Sequence, residues 1–183
     1  MRSLRPFLVP MLILMAGIAS LAAQTSTAKP KGPVMRKPFT LRLKVDKDQF
    51  QEFQYEKQPY VSDNEVYLFS GDKFGVNLIV KGDQVVEVRY QPDTTKADVV
   101  FGFEQPKELQ NGIGMALTID NKMKLAVGME VMGSVPGKKE TFKDKILPVQ
   151  AGKSDLEWWP HPIVQLVLGN LRLATAGATQ PSK

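Results

Sequence analysis

The sequence predicts an all-β domain, an antiparallel β-sandwich of about eight short strands, with a small β-barrel as the alternative. Apolar and polar residues alternate with a period of two through most of residues 39–131. Turn residues, mainly Gly, Asn, Asp and Pro, separate these segments at intervals of roughly 8–12 residues. Most of the segments are shorter than the ~9–11 residues of an outer-membrane barrel strand. Together these three observations favour the sandwich.

The first predicted strand is the clean alternation of residues 39–45. In the second, Phe50 does not share the parity of Phe53 and Tyr55, which indicates a bulge or a late start. Strand-like alternation then recurs along the chain at residues 50–56, 74–80, 86–90, 99–103, 115–119 and 123–131, and residues 66–69 form a short apolar run.

A first hairpin turns at residues 82–84. A three-residue loop, or a two-residue turn with a bulge, pairs Val80 with Val86 and Leu78 with Val88. A plain two-residue turn would instead place Leu78 on the same side as a glutamate. The hydrophobic pattern therefore predicts the odd register.

A second hairpin is predicted at residues 120–122. The same odd register pairs Leu117 with Leu125. It also puts Met123 and Met129 on the core face, where methionine fills irregular gaps.

The C-terminal element, residues 163–173, fits two structures. Its apolar residues form a helical stripe after Pro162, which suits the first position of a short helix. They also fit a strand with a slip at Gly169-Asn170. The β-branched residues and the internal glycine favour the strand, and the helix is the alternative.

The N-terminus predicts a cleavable secretory signal peptide over residues 1–22. Arg2 and Arg5 precede an apolar stretch at residues 7–19, and small residues follow it. The stretch is too short to be a good membrane anchor, which needs about 20 apolar residues. We expect cleavage just before Ala23, an exported protein that is periplasmic or secreted, and no membrane span after cleavage.

The mature chain divides into three predicted segments. Residues 23–38 are rich in Pro and Lys and are expected to be a disordered linker. Residues 39–173 form the β-sandwich domain. Residues 174–183 are small and polar and are expected to be a flexible tail.

Composition excludes several classes of function. The chain has no cysteine, so it has no disulfide, no thiolate metal site and no thiol nucleophile. Loss of Arg2 and Arg5 with the signal peptide leaves 22 basic against 19 acidic residues, a net charge of +3. Several of the basic residues lie in the linker, so the domain lacks the basic face of a nucleic-acid-binding protein.

No pattern predicts a catalytic residue, a cofactor or a metal site. His161 is the chain's one histidine and lies between two prolines, so a packed or hydrogen-bonded loop residue explains it better than a catalytic base. The acidic segments 46–48 and 63–65 lack the ligand number of a calcium loop. The methionines of residues 115–132 fit core packing better than copper binding.

The most distinctive residues are Trp158, Trp159 and His161, in a stretch stiffened by prolines. One interpretation is that both rings close one end of the sandwich. The other is an aromatic platform for an envelope glycan or a protein partner. The sequence therefore predicts an exported, non-catalytic binding or interaction protein. The alternatives are a small secreted hydrolase that cleaves envelope glycans with two carboxylates, and a structural cell-envelope protein.

Overall fold

The computed structural model describes residues 32–174, and these residues form a β-protein. The predicted signal peptide, residues 23–31 of the predicted linker and residues 175–183 of the predicted tail lie outside this range. Two 3-10 turns occur within it, Thr94–Lys96 and Leu109–Gly112. The strands are β1 (Phe39–Asp46), β2 (Gln49–Tyr55), β3 (Val61–Ser62), β4 (Glu65–Leu68), β5 (Asp72–Lys81), β6 (Gln84–Gln91), β7 (Val99–Glu104), β8 (Met115–Asn121), β9 (Ala126–Ser134), β10 (Thr141–Lys145), β11 (Ser154–Trp159) and β12 (Gln165–Ala174).

The strands form two five-stranded antiparallel sheets and one separate hairpin. Sheet I has the order β10-β9-β12-β4-β3, and sheet II has the order β11-β8-β7-β5-β6. Strands β1 and β2 pair only with each other within the described residues. Each sheet is open at both edges, so the structure is a sandwich and not a small barrel, which confirms the predicted fold class. Within residues 32–174, no helix is long and apolar enough to cross a membrane.

One apolar core joins both sheets and the β1-β2 hairpin. Alternate residues of the central strands point inward, as the period-two pattern predicts. The hairpin contributes Leu41 and Leu43 from β1. The largest fully buried side chains are Phe69, Phe101, Phe103, Leu43, Leu68, Met115, Leu117, Ile119, Met129, Ile163, Leu166 and Leu168.

The first predicted hairpin is present between β5 and β6. Leu78 pairs with Val88, as predicted. Val80 pairs with Val85 and not with Val86, because the chain makes a two-residue turn and then a bulge. The bulge turns Val86 outward, where it is exposed.

The second predicted hairpin is wrong, because β8 and β9 lie in different sheets. Strand β8 already has β7 on one side and β11 on the other, so no edge is left for β9. Asn121 holds the segment in which the chain passes from β8 in sheet II to β9 in sheet I. Its buried amide donates to the carbonyls of Leu125 and Val149, both at 2.9 Å. Leu125 is consequently 47% exposed and is not a core residue, whereas Met129 is buried as predicted.

The C-terminal element is strand β12, so the alternative of a short C-terminal helix is wrong. β12 lies between β9 and β4 in sheet I. Its register with β9 shifts between Gly169 and Arg172, at the predicted slip. Asn170 has a φ of 50°, in the left-handed region that asparagine tolerates better than most residues.

The predicted linker differs from the structure at its C-terminal end, where residues 34–36 are bound to the domain. Met35 forms a bridge with Pro59, and the Arg36 N–H donates to Gln58 O at 2.7 Å. The Arg36 side chain is only 6% exposed. The lysine and proline content predicted a solvated linker, but Arg36, which has buried partners, holds residues 34–36 on the sandwich.

Arg36 occupies a cage of rings, carbonyls and one carboxylate. Its guanidinium donates to the Pro59 carbonyl, to Tyr67 O at 2.6 Å and to Asp72 Oδ2 at 2.6 Å. Its Cζ lies 4.0 Å from the centre of the Tyr60 ring. Paired charge and ring contact together make burial of this cation tolerable.

On three of the four sheet edges, an Asp or Asn side chain bonds to a backbone group of the edge strand. On β11, Asp155 Oδ1 accepts from the N–H of Leu156 at 2.9 Å. On β10, Asp144 Oδ1 accepts from the N–H of Lys145 at 2.8 Å. On β6, Asn64 accepts from the Val88 N–H and donates to Val86 O. Such local bonds occupy edge groups that would otherwise pair with another strand.

Candidate functional site

The two tryptophans lie at the end of β11, an edge strand of sheet II, and not in a loop as the sequence suggested. Neighbouring residues of a strand point to opposite faces. Trp158 points to the outer face and is 51% exposed, whereas Trp159 points inward and is 6% exposed. Two adjacent tryptophans therefore lie in different environments, one in solvent and one in the core.

Trp159 closes the open side of the sandwich between β10 and β11. Its indole N–H donates to Asp144 Oδ2 at 3.2 Å. The Phe142 ring of β10 lies 6.3 Å from Trp159 and 5.6 Å from His161, between centroids. Trp159 and His161 thus belong to one packed cluster, which Trp158 does not join.

His161 is half-buried in this cluster. Burial lowers the pKa of its imidazole, and the charge of Lys138 lowers it further. A lowered pKa favours the neutral ring at pH 7. The neutral ring suits the edge-on contact with Phe142 and the closing of the sandwich.

Leu156 shares the outer face of β11 with Trp158, and the sequence alone did not single it out. It lies two positions before Trp158 on β11, points to the same outer face, and is 61% exposed. The signal that could have found it is the period-two spacing of Leu156 and Trp158 between Asp155 and Glu157. The apolar residues of an alternating strand usually face the core, but here they point outward from an edge strand.

The outer face of sheet II is built from cross-strand rows. Trp158 lies opposite Ala116 on β8, which lies opposite Glu104 on β7. The next row runs from Leu156 through Thr118 and Gly102 to Lys73, and the third from Ser154 through Asp120 and Val100 to Gly75. Large apolar side chains therefore stand at the β11 edge, and small residues form the middle of the face.

A groove of about 520 Å³ lies over these small residues on the outer face of sheet II. Gly102 and Thr118 form its floor, and Lys73, Glu104, Asp120 and Ser154 are among the polar residues around it. The Ser154 hydroxyl donates to Asp120 Oδ1 at 3.1 Å. The volume lies within the range of small-ligand sites, about 300–1,000 Å³. Leu156 and Trp158 stand one strand away from the floor.

Three carboxylates lie near the β10 and β11 edges. Burial raises the pKa of Glu157, and the charges of Asp155 and Asp144 raise it further. Asp144 is already bonded to the Trp159 indole, and Asp155 to a backbone N–H. Of the three, only Asp144 contacts the ring that closes the sandwich. Within residues 32–174, no group of three His, Cys, Asp or Glu side chains is placed to hold a metal ion.

We predict that Glu157→Gln stabilises the domain at pH 7. A carboxyl whose pKa is raised by folding costs stability when ionised, and the cost disappears below its unfolded pKa of about 4.3. The gain from the substitution should therefore shrink as the pH falls through the raised pKa towards 4. Urea denaturation at pH 7.5 and pH 4 measures it. The exposed Glu140→Gln is the control, and an equal gain in both variants would contradict the prediction.

A second groove, of about 810 Å³, lies on the outer face of sheet I. Glu65 and Glu130 stand on either side of Gly169, and Glu130 pairs with that glycine across β9 and β12. Glu65 Oε1 lies 3.6 Å from the position that a Cβ on Gly169 would take. Two carboxylates therefore face this groove from either side of a bare glycine.

Comparison of the chain with protein-family models, with curated proteins and with solved structures finds no match.

Proposed function

We propose that this chain is an exported, non-catalytic binding protein that holds its partner on the outer face of sheet II beside β11. One observation carries the proposal. Leu156 and Trp158 take successive outward positions on an edge strand and are 61% and 51% exposed. Single exposed apolar residues are ordinary, but two large ones side by side next to a groove favour a contact surface.

The backbone under this surface is rigid, which favours binding. β11 pairs with β8 over its whole length, and Trp159 anchors its end between the sheets. A large ring on a fixed strand loses little conformational entropy when a partner covers it. Tryptophan is also among the residues that most often dominate recognition energy.

Action outside the cytoplasm is part of the same proposal. Its support is the arrangement of positive, apolar and small residues over residues 1–22. N-terminal sequencing of the exported protein should then read from Ala23 or Gln24. A mature protein that begins at Met1 would contradict it.

The glycan hydrolase is the second candidate, and Glu65 with Glu130 is the observation that favours it. They lie on β4 and β9, the two strands that flank β12, and face one groove, and a glycan hydrolase needs two carboxyls on either side of its substrate. However, both carboxylates already accept hydrogen bonds within the fold. The Tyr67 hydroxyl donates to Glu65 at 2.8 Å, and the Asn170 amide donates to Glu130 at 3.1 Å. Burial and the hydrogen bond to Glu65 raise the pKa of Tyr67 to about 12, so its hydroxyl stays protonated and remains the donor of that bond.

We expect Trp158→Ala to lose the partner while the protein stays folded. Purified mature protein, Trp158→Ala and Phe50→Ala are immobilised and exposed to the exported fraction of the producing cell. Phe50 is a matched control, because its ring is 54% exposed on the separate β1-β2 hairpin. Partners held by the wild type and by Phe50→Ala but not by Trp158→Ala support the proposal.

Two results would contradict it. One is equal capture by all three proteins, which would place the contact surface elsewhere. The other is glycan cleavage by the wild type that Glu130→Gln abolishes, which would make the chain a hydrolase.

A further inference from the structure

We infer that the ligand of this surface is a neutral, extended pyranose chain, with one sugar ring stacked on Trp158 and its neighbours lying along the groove over Gly102. The inference rests on the proposed function, since it names the ligand class of the same surface. Three features of sheet II carry it: its blocked edge, its small-residue floor and its charges.

The blocked edge disfavours the main alternative, a peptide strand added to β11. Strand addition uses the outward N–H and C=O groups of an edge strand. In β11, the hydrogen-bonded pairs are those of Asp155, Glu157 and Trp159, so the N–H of Leu156 points away from β8. That N–H is already bonded to Asp155 Oδ1 at 2.9 Å. Strand addition at this position would have to break that bond, which favours a ligand of Trp158 on the face of the sheet over one along its edge.

The small-residue floor suits a flat ring. Ala116, Thr118 and Gly102 are the residues next to Trp158 and Leu156 across the strands. Neighbouring strands lie ~4.8 Å apart, a spacing similar to the width of one sugar ring. The axial C–H groups of a pyranose form an apolar, weakly positive face, which complements the negative face of an indole.

The charges around the floor select neutral sugars. Three carboxylates, those of Asp72, Glu104 and Asp120, line the groove with Lys73, the one lysine among the described residues that line it. Asp72 is paired with Arg36, which leaves Glu104 and Asp120 against Lys73. Two carboxylates against one ammonium repel an acidic polysaccharide. The same groups, with the hydroxyls of Thr118 and Ser154, supply the donors and acceptors that sugar hydroxyls need.

Direct titration of the mature protein with defined oligosaccharides tests the inference. The probes are chitotetraose and cellotetraose, which are neutral and extended, and tetragalacturonate, which is acidic. We expect calorimetric binding of at least one neutral probe and none of the acidic one. Trp158→Ala should weaken that binding by about 30-fold or more, as loss of a central anchor does. Phe50→Ala should bind as the wild type does, and added salt should change the neutral binding little, because no ion pair forms.

Three outcomes would overturn the inference. They are binding of neither neutral probe at millimolar concentration, binding that survives Trp158→Ala, and tighter binding of the acidic probe. The proposed function is judged separately by the capture experiment. If a protein partner is lost with Trp158→Ala while no oligosaccharide binds, the surface is a binding surface but the glycan inference is wrong. If neither partner nor sugar depends on Trp158, both are wrong.

Discussion

Replacing Arg36 by alanine is expected to lower the free energy of unfolding by about 3–5 kcal/mol, the usual cost of removing one partner of a buried ion pair. The substitution leaves the Asp72 carboxylate without the cation that it contacts at 2.6 Å. It also leaves the Tyr67 carbonyl without its guanidinium donor. Urea denaturation monitored by circular dichroism measures the loss.

The neighbouring Lys37→Ala is the matched control. Lys37 is exposed, so we expect its replacement to change stability by no more than about 0.5 kcal/mol. The double variant Arg36→Met with Asp72→Asn should lose less than the sum of the two single changes, because neither charge then remains buried alone. A loss below 1 kcal/mol for Arg36→Ala would show that residues 34–36 are not anchored as the structure has them.

Replacing Trp159 by alanine is expected to cost about 3–5 kcal/mol, the range for truncating a buried tryptophan. The ring fills the gap between β10 and β11, and its loss leaves Asp144 without the indole N–H. Trp158→Ala should change stability by less than about 0.5 kcal/mol, because half of that ring is already in water. Chemical denaturation of the two variants measures the free energy of unfolding that each tryptophan contributes.

Acrylamide quenching gives an independent measurement of the same difference. Fluorescence of Trp159→Phe, which retains only Trp158, should be quenched readily. Fluorescence of Trp158→Phe, which retains only Trp159, should be protected. Equal quenching, or equal destabilisation by the two alanine substitutions, would mean that the rings are not divided between the inside and the outside of the sandwich.

The candidate surface could be predicted only in part. Two adjacent tryptophans before a Pro-His-Pro sequence are visible in the sequence, and alternation along a strand explains why one ring is exposed. The sequence did not show that β11 is an edge strand, or that Ala116, Thr118 and Gly102 lie beside it. Those neighbours come from β8 and β7, so only the register of sheet II brings them together.

Three strands could not be found from hydrophobic alternation. β3 is only two residues long, and β10 and β11 carry charges at several positions. β10 and β11 are edge strands, and an edge strand buries too little apolar surface for a period-two pattern to appear. Their existence depends on the partner strand, which the local sequence does not identify.

By itself, the sequence determined the all-β class, the inward faces of the central strands and the register of the β5-β6 hairpin near Leu78 and Val88. It also favoured a C-terminal strand with a slip at Gly169-Asn170, with a helix as the alternative. These features depend on local alternation and turn chemistry, which act over a few residues. The tertiary structure decided that β8 and β9 lie in different sheets, that Arg36 is buried, and that Leu125 is exposed. Each of these depends on contacts between residues distant in the chain, such as Asn121 with Val149 and Arg36 with Asp72, and local patterns carry no information about them.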